Sequence, residues 1–199
     1  MKKVSLLAAT LLVTGAAQAD YVGPAPLVSI PSQDNFFNHL QEHCGKAYEG
    51  EVTVNNPPSD GFEGRLIMHV RKCSDEELQI PFHVGDNHSR TWILTKTGSG
   101  VSLKHDHRNP DGTHDDLTMY GGHTVDAGHD RYQSFPVDQY SIELFAELGI
   151  PESSTNTWQM YIYPERFTYR LTREGREFRV DFDLTEPVDT PPTPWGYAD

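Results

Sequence analysis

The densest group of side chains able to ligate a metal or carry a proton is Lys104-His105-Asp106-His107, followed after the turn Asn109-Pro110-Asp111-Gly112 by His114, Asp115 and Asp116. Residues i and i+2 of a strand face the same way, so His105 and His107 project from one face. Two imidazoles so placed can chelate a divalent transition metal, with His114 or Asp116 returning across the hairpin as a third ligand. Without a metal, the same residues make a polar rim in which imidazoles meet carboxylates and Asp111-Gly112 serves the turn. A calcium loop does not fit. Aligning its glycine on Gly112 puts His107 at the first position and Thr118 at the twelfth, where carboxylate or amide oxygens are needed.

The phase of the strand sharpens the choice. His105 and His107 alternate with Val101 and Leu103, which turns them towards the interior. Imidazoles buried there without partners are costly. The pair is therefore hydrogen-bonded, wet or facing a ligand, and each of these places it in a pocket. Trp92, Met119 and Trp158 fall on inward phases too, and with His105 and His107 they form the candidate ligand-binding set. Phe62, Phe82, Tyr169, Phe178 and Phe182 read as core by default. Tyr161 and Tyr163 lie opposite Trp158, on either an outer aromatic surface or the pocket side.

Two short motifs resemble metal sites of known families. His105-x-His107 resembles the strand His-x-His of cupins, but Asp111 stands near the place of the cupin glutamate and no second cupin motif follows. His39-Leu40-Gln41-Glu42-His43 resembles the H-x-x-E-H of inverted zinc peptidases, which would imply zinc on His39 and His43 with Glu42 as base. That resemblance spans five residues and lacks the downstream glutamate. No nucleophile elbow, Walker loop or dinucleotide fingerprint is present, so no catalytic residue is assigned. Asp181 and Asp183 read as half of an ion-pair ladder with Arg166 or Arg170 on the neighbouring strand.

Export supplies the wider setting. Lys2 and Lys3, the apolar run Leu6 to Val13 and the small residues Ala17-Gln18-Ala19 form a secretory signal, Met1 to Ala19, cleaved before Asp20. A periplasmic or secreted mature chain follows, with no later run long enough to span a bilayer. In an oxidising compartment Cys44 and Cys73 pair, stabilising the fold by roughly 3 kcal/mol. The formal net charge of −13 becomes more negative once two lysines leave with the signal. That balance argues against nucleic acid and anionic lipid, and it biases any ligand towards the cationic or neutral.

The elements that must position these residues follow from periodicity. Asp20 to Pro31 is an extended lead-in. Ser32 to Gly45 is a short amphipathic helix, capped by Ser32, that presents Phe36, Phe37, Leu40 and Cys44 as a plug. Period-two runs then extend through Val52-Val54, Phe62–Val70, Leu78–Val84, Trp92-Leu94, Val101–His107 and Leu117-Met119, the last ending at Gly121-Gly122. Asp138 caps a second helix, which Gly149 and Pro151 end. Three strands follow, Trp158–Ile162, Phe167–Leu171 and Phe178–Leu184. Glu174-Gly175 joins the last two and sets Leu171 against Phe178 and Tyr169 against Val180.

These readings give one all-β domain over 32–186 and a proline-rich tail over 187–199. The expected architecture is an antiparallel meander barrel of eight or nine strands with an N-terminal helix and one inserted helix; a two-sheet sandwich is the alternative. The order of helix, long meander and disulfide over residues 33 to 184 resembles the calycin superfamily of lipocalins and fatty-acid-binding relatives. The resemblance implies a barrel that binds a small ligand. The Gly-x-Trp signature of many lipocalins has no match, and no binding residue is carried over. Three functions stay open: a small-ligand carrier, a metal-binding protein or metal-dependent enzyme using the His105/His107 hairpin, and an interaction module without a pocket.

Overall fold

A computed structural model describes residues 27–198; the signal and most of the lead-in lie outside the described residues. Helix α1 (Pro31–Gln41) precedes β1 (Ala47–Asn56), β2 (Leu66–His69), β3 (Lys72–Cys73), β4 (Glu77–Val84), β5 (Asn87–Thr97), β6 (Gly100–His107), β7 (Tyr120–His123) and β8 (Tyr132–Pro136). Helix α2 (Gln139–Glu147) and a 3-10 turn (Pro151–Thr155) lead to β9 (Thr157–Tyr163), β10 (Arg166–Arg173) and β11 (Arg176–Val188). One continuous antiparallel sheet runs β7-β6-β5-β4-β2-β1-β11-β10-β9-β8, with β3 appended to β4. A single sheet of this order is a nearly closed barrel, so the sandwich alternative falls. Ten strands form its wall, one or two more than the periodicity suggested.

The first and last strands close the barrel, with β11 pairing β1 on one side and β10 on the other. The seam lies instead between β7 and β8, bridged at Gly122 and Val137. Gly121 and Gly122, expected to end a strand, lie within β7 because nothing larger fits. A Cβ on Gly121 would stand 1.9 Å from the Leu103 carbonyl oxygen, and one on Gly122 would stand 2.1 Å from that of Pro136. The Asp138 N–H donates to the Gly121 carbonyl across the seam (3.1 Å), and the Gly121 N–H donates to Ser141 Oγ (2.7 Å). Strand β8 was missed because Tyr132-Gln133-Ser134-Phe135-Pro136 is short and ends in proline.

Helix α1 seals one end. Phe36, Phe37 and Leu40 are fully buried against the barrel core, and Gln33 Nε2 donates to Thr124 Oγ1 (3.1 Å) and the Asp126 carbonyl (2.9 Å). Its N-cap is Ile30 rather than Ser32, because Pro31 takes the first turn and Ser32 Oγ donates instead to the Ala127 carbonyl. The Cys44–Cys73 disulfide, with Cα atoms 6.3 Å apart, ties the segment after α1 to β3. Helix α2 begins as expected, with the Asp138 side chain accepting from the Ser141 N–H. The hairpin at Gly175 (φ +69°) sets Leu171 opposite Phe178 and Tyr169 opposite Val180, also as expected.

The tail returns to the wall. The Tyr197 hydroxyl donates to Asp106 Oδ2 (2.6 Å), and the Trp195 N–H donates to the His88 carbonyl (3.1 Å). On the outer face of β10 and β11 an ion-pair ladder forms with partners other than those expected: Arg170 pairs with Glu177 and Arg179 with Asp181.

Two stability measurements test this account. Gly122→Ala should cost more than about 2 kcal/mol in urea unfolding, since the added methyl meets backbone that cannot yield without opening the seam. Reducing Cys44–Cys73 should lower stability by roughly 3 kcal/mol, read from urea midpoints with and without a thiol reductant.

Candidate functional site

The end of the barrel opposite α1 holds a cavity of about 260 Å³. Inward alternation along β5 places Arg90 and Trp92 on its wall, and β6 adds His105 and His107. Tyr120 enters from β7, Trp158 from β9, Tyr169, Leu171 and Arg173 from β10, and Arg176 and Phe178 from β11. Phe62, Leu117, Phe145 and Ile150 come from the connecting segments at that end. The lining is mostly aromatic and the rings are ordered. Trp92 stacks on Tyr169 (4.6 Å, 16°) and on Phe82 (5.0 Å, 17°), while His105 stacks on Tyr120 (4.7 Å, 8°).

The geometry fixes the protonation of His105. Its Nδ1 lies 3.1 Å from the Tyr120 carbonyl oxygen, which only accepts, so Nδ1 carries the hydrogen. Nε2 then accepts from the Tyr169 hydroxyl (2.9 Å). Burial pushes His105 down to about 3, and His107 down to about 4, where burial acts first and the Arg90 charge second. Both rings are neutral at ordinary pH. Burial also holds the Tyr120 phenol up at about 12, and its hydroxyl lies 3.3 Å from His107 Nε2. The site therefore offers neutral donors and acceptors beside one or more permanent cations.

Those cations are the residues that periodicity overlooked. Arg90 shares the inward phase of Trp92 and Leu94, a signal readable in Arg90-Thr91-Trp92-Ile93-Leu94. Arg173 and Arg176 flank the Glu174-Gly175 turn and line the same cavity. Among the described residues no aspartate or glutamate lines it. The overall acidity had pointed to cationic or neutral ligands, and the lining has the opposite sign.

Of the candidate ligand-binding set, His105, His107, Trp92 and Trp158 come together on the cavity wall. Met119 does not join them. The 108–119 segment is an irregular loop with one bridge, Arg108 to His114, and Met119 itself has φ +56°. Alternation breaks there, so Tyr120 takes the inward place. The expected metal set does not assemble either. His114 Nδ1 sits 3.3 Å from Asp106 Oδ1 outside the barrel, Asp116 is exposed, and His105 is committed at both ring nitrogens. Asp106 is buried beneath Arg108, Thr118 and Tyr197. The His39/His43 motif separates as well: His39 meets Glu42, whereas His43, beyond the helix, meets the Tyr48 hydroxyl (2.6 Å). Among the described residues no three histidine, cysteine or carboxylate side chains converge on a metal position. Tyr161 lies outside the cavity, packed on Tyr132 (4.7 Å) with exposed Tyr163 beyond it.

The fold and site together define an antiparallel β-barrel with an aromatic, arginine-bearing cavity. No protein-family model matches the chain, and no curated protein or solved structure is significantly similar to it.

The neutral imidazoles have a measurable consequence. His83, His105 and His107 are held to about 4, 3 and 4, below the unfolded value near 6.5. The unfolded chain takes up more protons than the folded one across that interval. Their contribution is therefore complete above pH 6.5 and is lost as pH falls towards 4. His105→Phe should flatten the slope of unfolding free energy against pH between 6 and 4.5 by about one proton, or roughly 1.4 kcal/mol per pH unit. An unchanged slope would mean that His105 is already charged in the native protein.

Proposed function

We propose that this protein is an exported carrier or receptor for a small organic ligand held inside the barrel. The observation that carries this reading is the aromatic cavity at the open end, walled by stacked Trp92, Tyr169 and Phe82. Ligand sites are concave, mostly apolar and furnished with a few fixed polar groups. A core built only for stability packs to near-crystal density and leaves few voids larger than a water molecule. Here Phe36, Phe37 and Leu40 of α1 are fully buried at one end, and the aromatic cavity lies at the other. The Cys44–Cys73 disulfide accords with export, and no helix of the described residues is long and apolar enough to cross a membrane.

Size limits the ligand. A cavity of roughly 150 Å³ lined by apolar residues holds benzene, so about 260 Å³ suits a compact molecule of one or two rings. Trp92 and Trp158 on the wall provide the readout. Titration with two-ring aromatic probes should quench tryptophan emission saturably. Ile150→Trp and Leu171→Trp, which fill the mouth, should abolish that quenching while leaving the melting temperature within a few degrees. Quenching that persists in both filled variants would place the bound probe elsewhere and overturn this reading.

A further inference from the structure

We infer that the cavity takes a compact aromatic anion whose acidic group is held by Arg90. The inference rests on the ligand-binding reading above and adds the charge and chemical class of the ligand.

Arg90 faces inward on β5, directly opposite His107 on β6. Its guanidinium lies over the Phe62 ring, 5.4 Å from the centroid, and its one hydrogen bond is a long one, from Nη2 to the Gly61 carbonyl (3.5 Å). Nη1 is shielded from solvent and has no partner at all. A buried guanidinium donor without an acceptor is costly, because an ion withdrawn from water is stabilised only by hydrogen bonds and an opposite charge. Arg90 as a whole is half-buried, so the cost falls on the shielded Nη1. No carboxylate takes the acceptor's role, since among the described residues the lining holds neither aspartate nor glutamate.

Arg173 and Arg176 add to the field without cancelling it. Arg173 donates to Asn156 Oδ1 (3.1 Å), and Arg176 donates to Ser59 Oγ (2.8 Å) and to the Pro57 carbonyl. All of these acceptors are neutral. Three guanidiniums thus converge on one cavity in a chain whose formal net charge is −13. The positive potential is local and built, because the chain as a whole would repel an anion. A planar fork of parallel N–H groups matches a carboxylate or sulfonate. The stacked rings of Trp92 and Tyr169 match a flat arene.

The test is a fluorescence or calorimetric titration of the exported, disulfide-bonded protein with 2-naphthoate, 2-naphthamide and 2-naphthylmethylammonium. These probes share a ring system and differ in charge. The wild-type protein should bind naphthoate about tenfold or more tighter than the amide, as a charge-assisted hydrogen bond in a shielded site requires. The ammonium should bind most weakly. Arg90→Met should bring naphthoate to within about threefold of the amide, while keeping or raising the melting temperature, because it removes a shielded donor that has no acceptor. Arg90→Lys keeps the charge, loses the fork and should retain an intermediate preference.

Equal affinity for naphthoate and naphthamide in the wild-type protein would overturn the anion inference and leave the ligand-binding reading standing. Displacement of naphthoate by a long-chain fatty acid at lower concentration would overturn the compact aromatic class. An unchanged naphthoate preference in both Arg90 variants would remove Arg90 from the role. Binding of none of the three probes would instead count against the ligand-binding reading itself, and with it this inference.

Discussion

Closure of a single meander, first strand paired to last, is the constraint on which the rest of this protein depends. The β1–β11 pairing converts ten antiparallel strands into a wall with a seam between β7 and β8. Closing a sheet satisfies backbone hydrogen bonds that an open edge would present to solvent. It also commits every second side chain to the interior. The seam closes because Gly121 and Gly122 carry no side chain where β7 meets its neighbours. Helix α1 then seals one end with Phe36, Phe37 and Leu40, and most inward side chains are withdrawn from water.

The unusual electrostatics follow from that exclusion. Imidazoles that would titrate near neutrality are held neutral by the cost of charging them in an aromatic interior. Guanidiniums cannot escape in the same way, because their protonation survives burial. The cavity is therefore a place where histidines give up charge and arginines keep it. The positive lining inside an acidic surface is the net result. An arginine left without an acceptor is a cost to the folded state, and such costs collect where a partner is expected to supply the missing group. The same exclusion accounts for the fate of the His105/His107 hairpin. With both nitrogens of His105 bonded inside the wall, the hairpin presents a fixed, uncharged ring to the cavity.

Much of the wall was legible from periodicity alone, and the reasons can be traced residue by residue. Leu171 and Phe178 could be paired because Glu174-Gly175 fixes the register of a tight hairpin. His105 and His107 could be turned inward because strand alternation carries on unbroken from Val101. The reading failed where alternation failed. The loop from Arg108 to Met119 follows turn chemistry, so Met119, which alternation turns inward, does not reach the cavity, and Tyr120 takes that place. Strand β8 was too short to announce itself. Arg90 was legible in principle, two residues before Trp92 on the same face. It escaped notice because an arginine on an inward phase is read as an interruption of the pattern and not as its content.

The sequence by itself determined the all-β class, the two helices, the cysteine pair and the inward face of the regular strands other than β7 and β8. All of these rest on local rules of period, capping and turn geometry that act over a few residues. The tertiary structure alone decided where the sheet closes, which end of the barrel is filled, and which side chains share a cavity. Those depend on contacts between residues far apart in the chain, such as His105 with Tyr169, Tyr197 with Asp106, and Arg90 with Phe62. No local signal encodes whether a buried cation will meet a carboxylate when the barrel closes. Only the closed barrel reveals that, for Arg90, it does not.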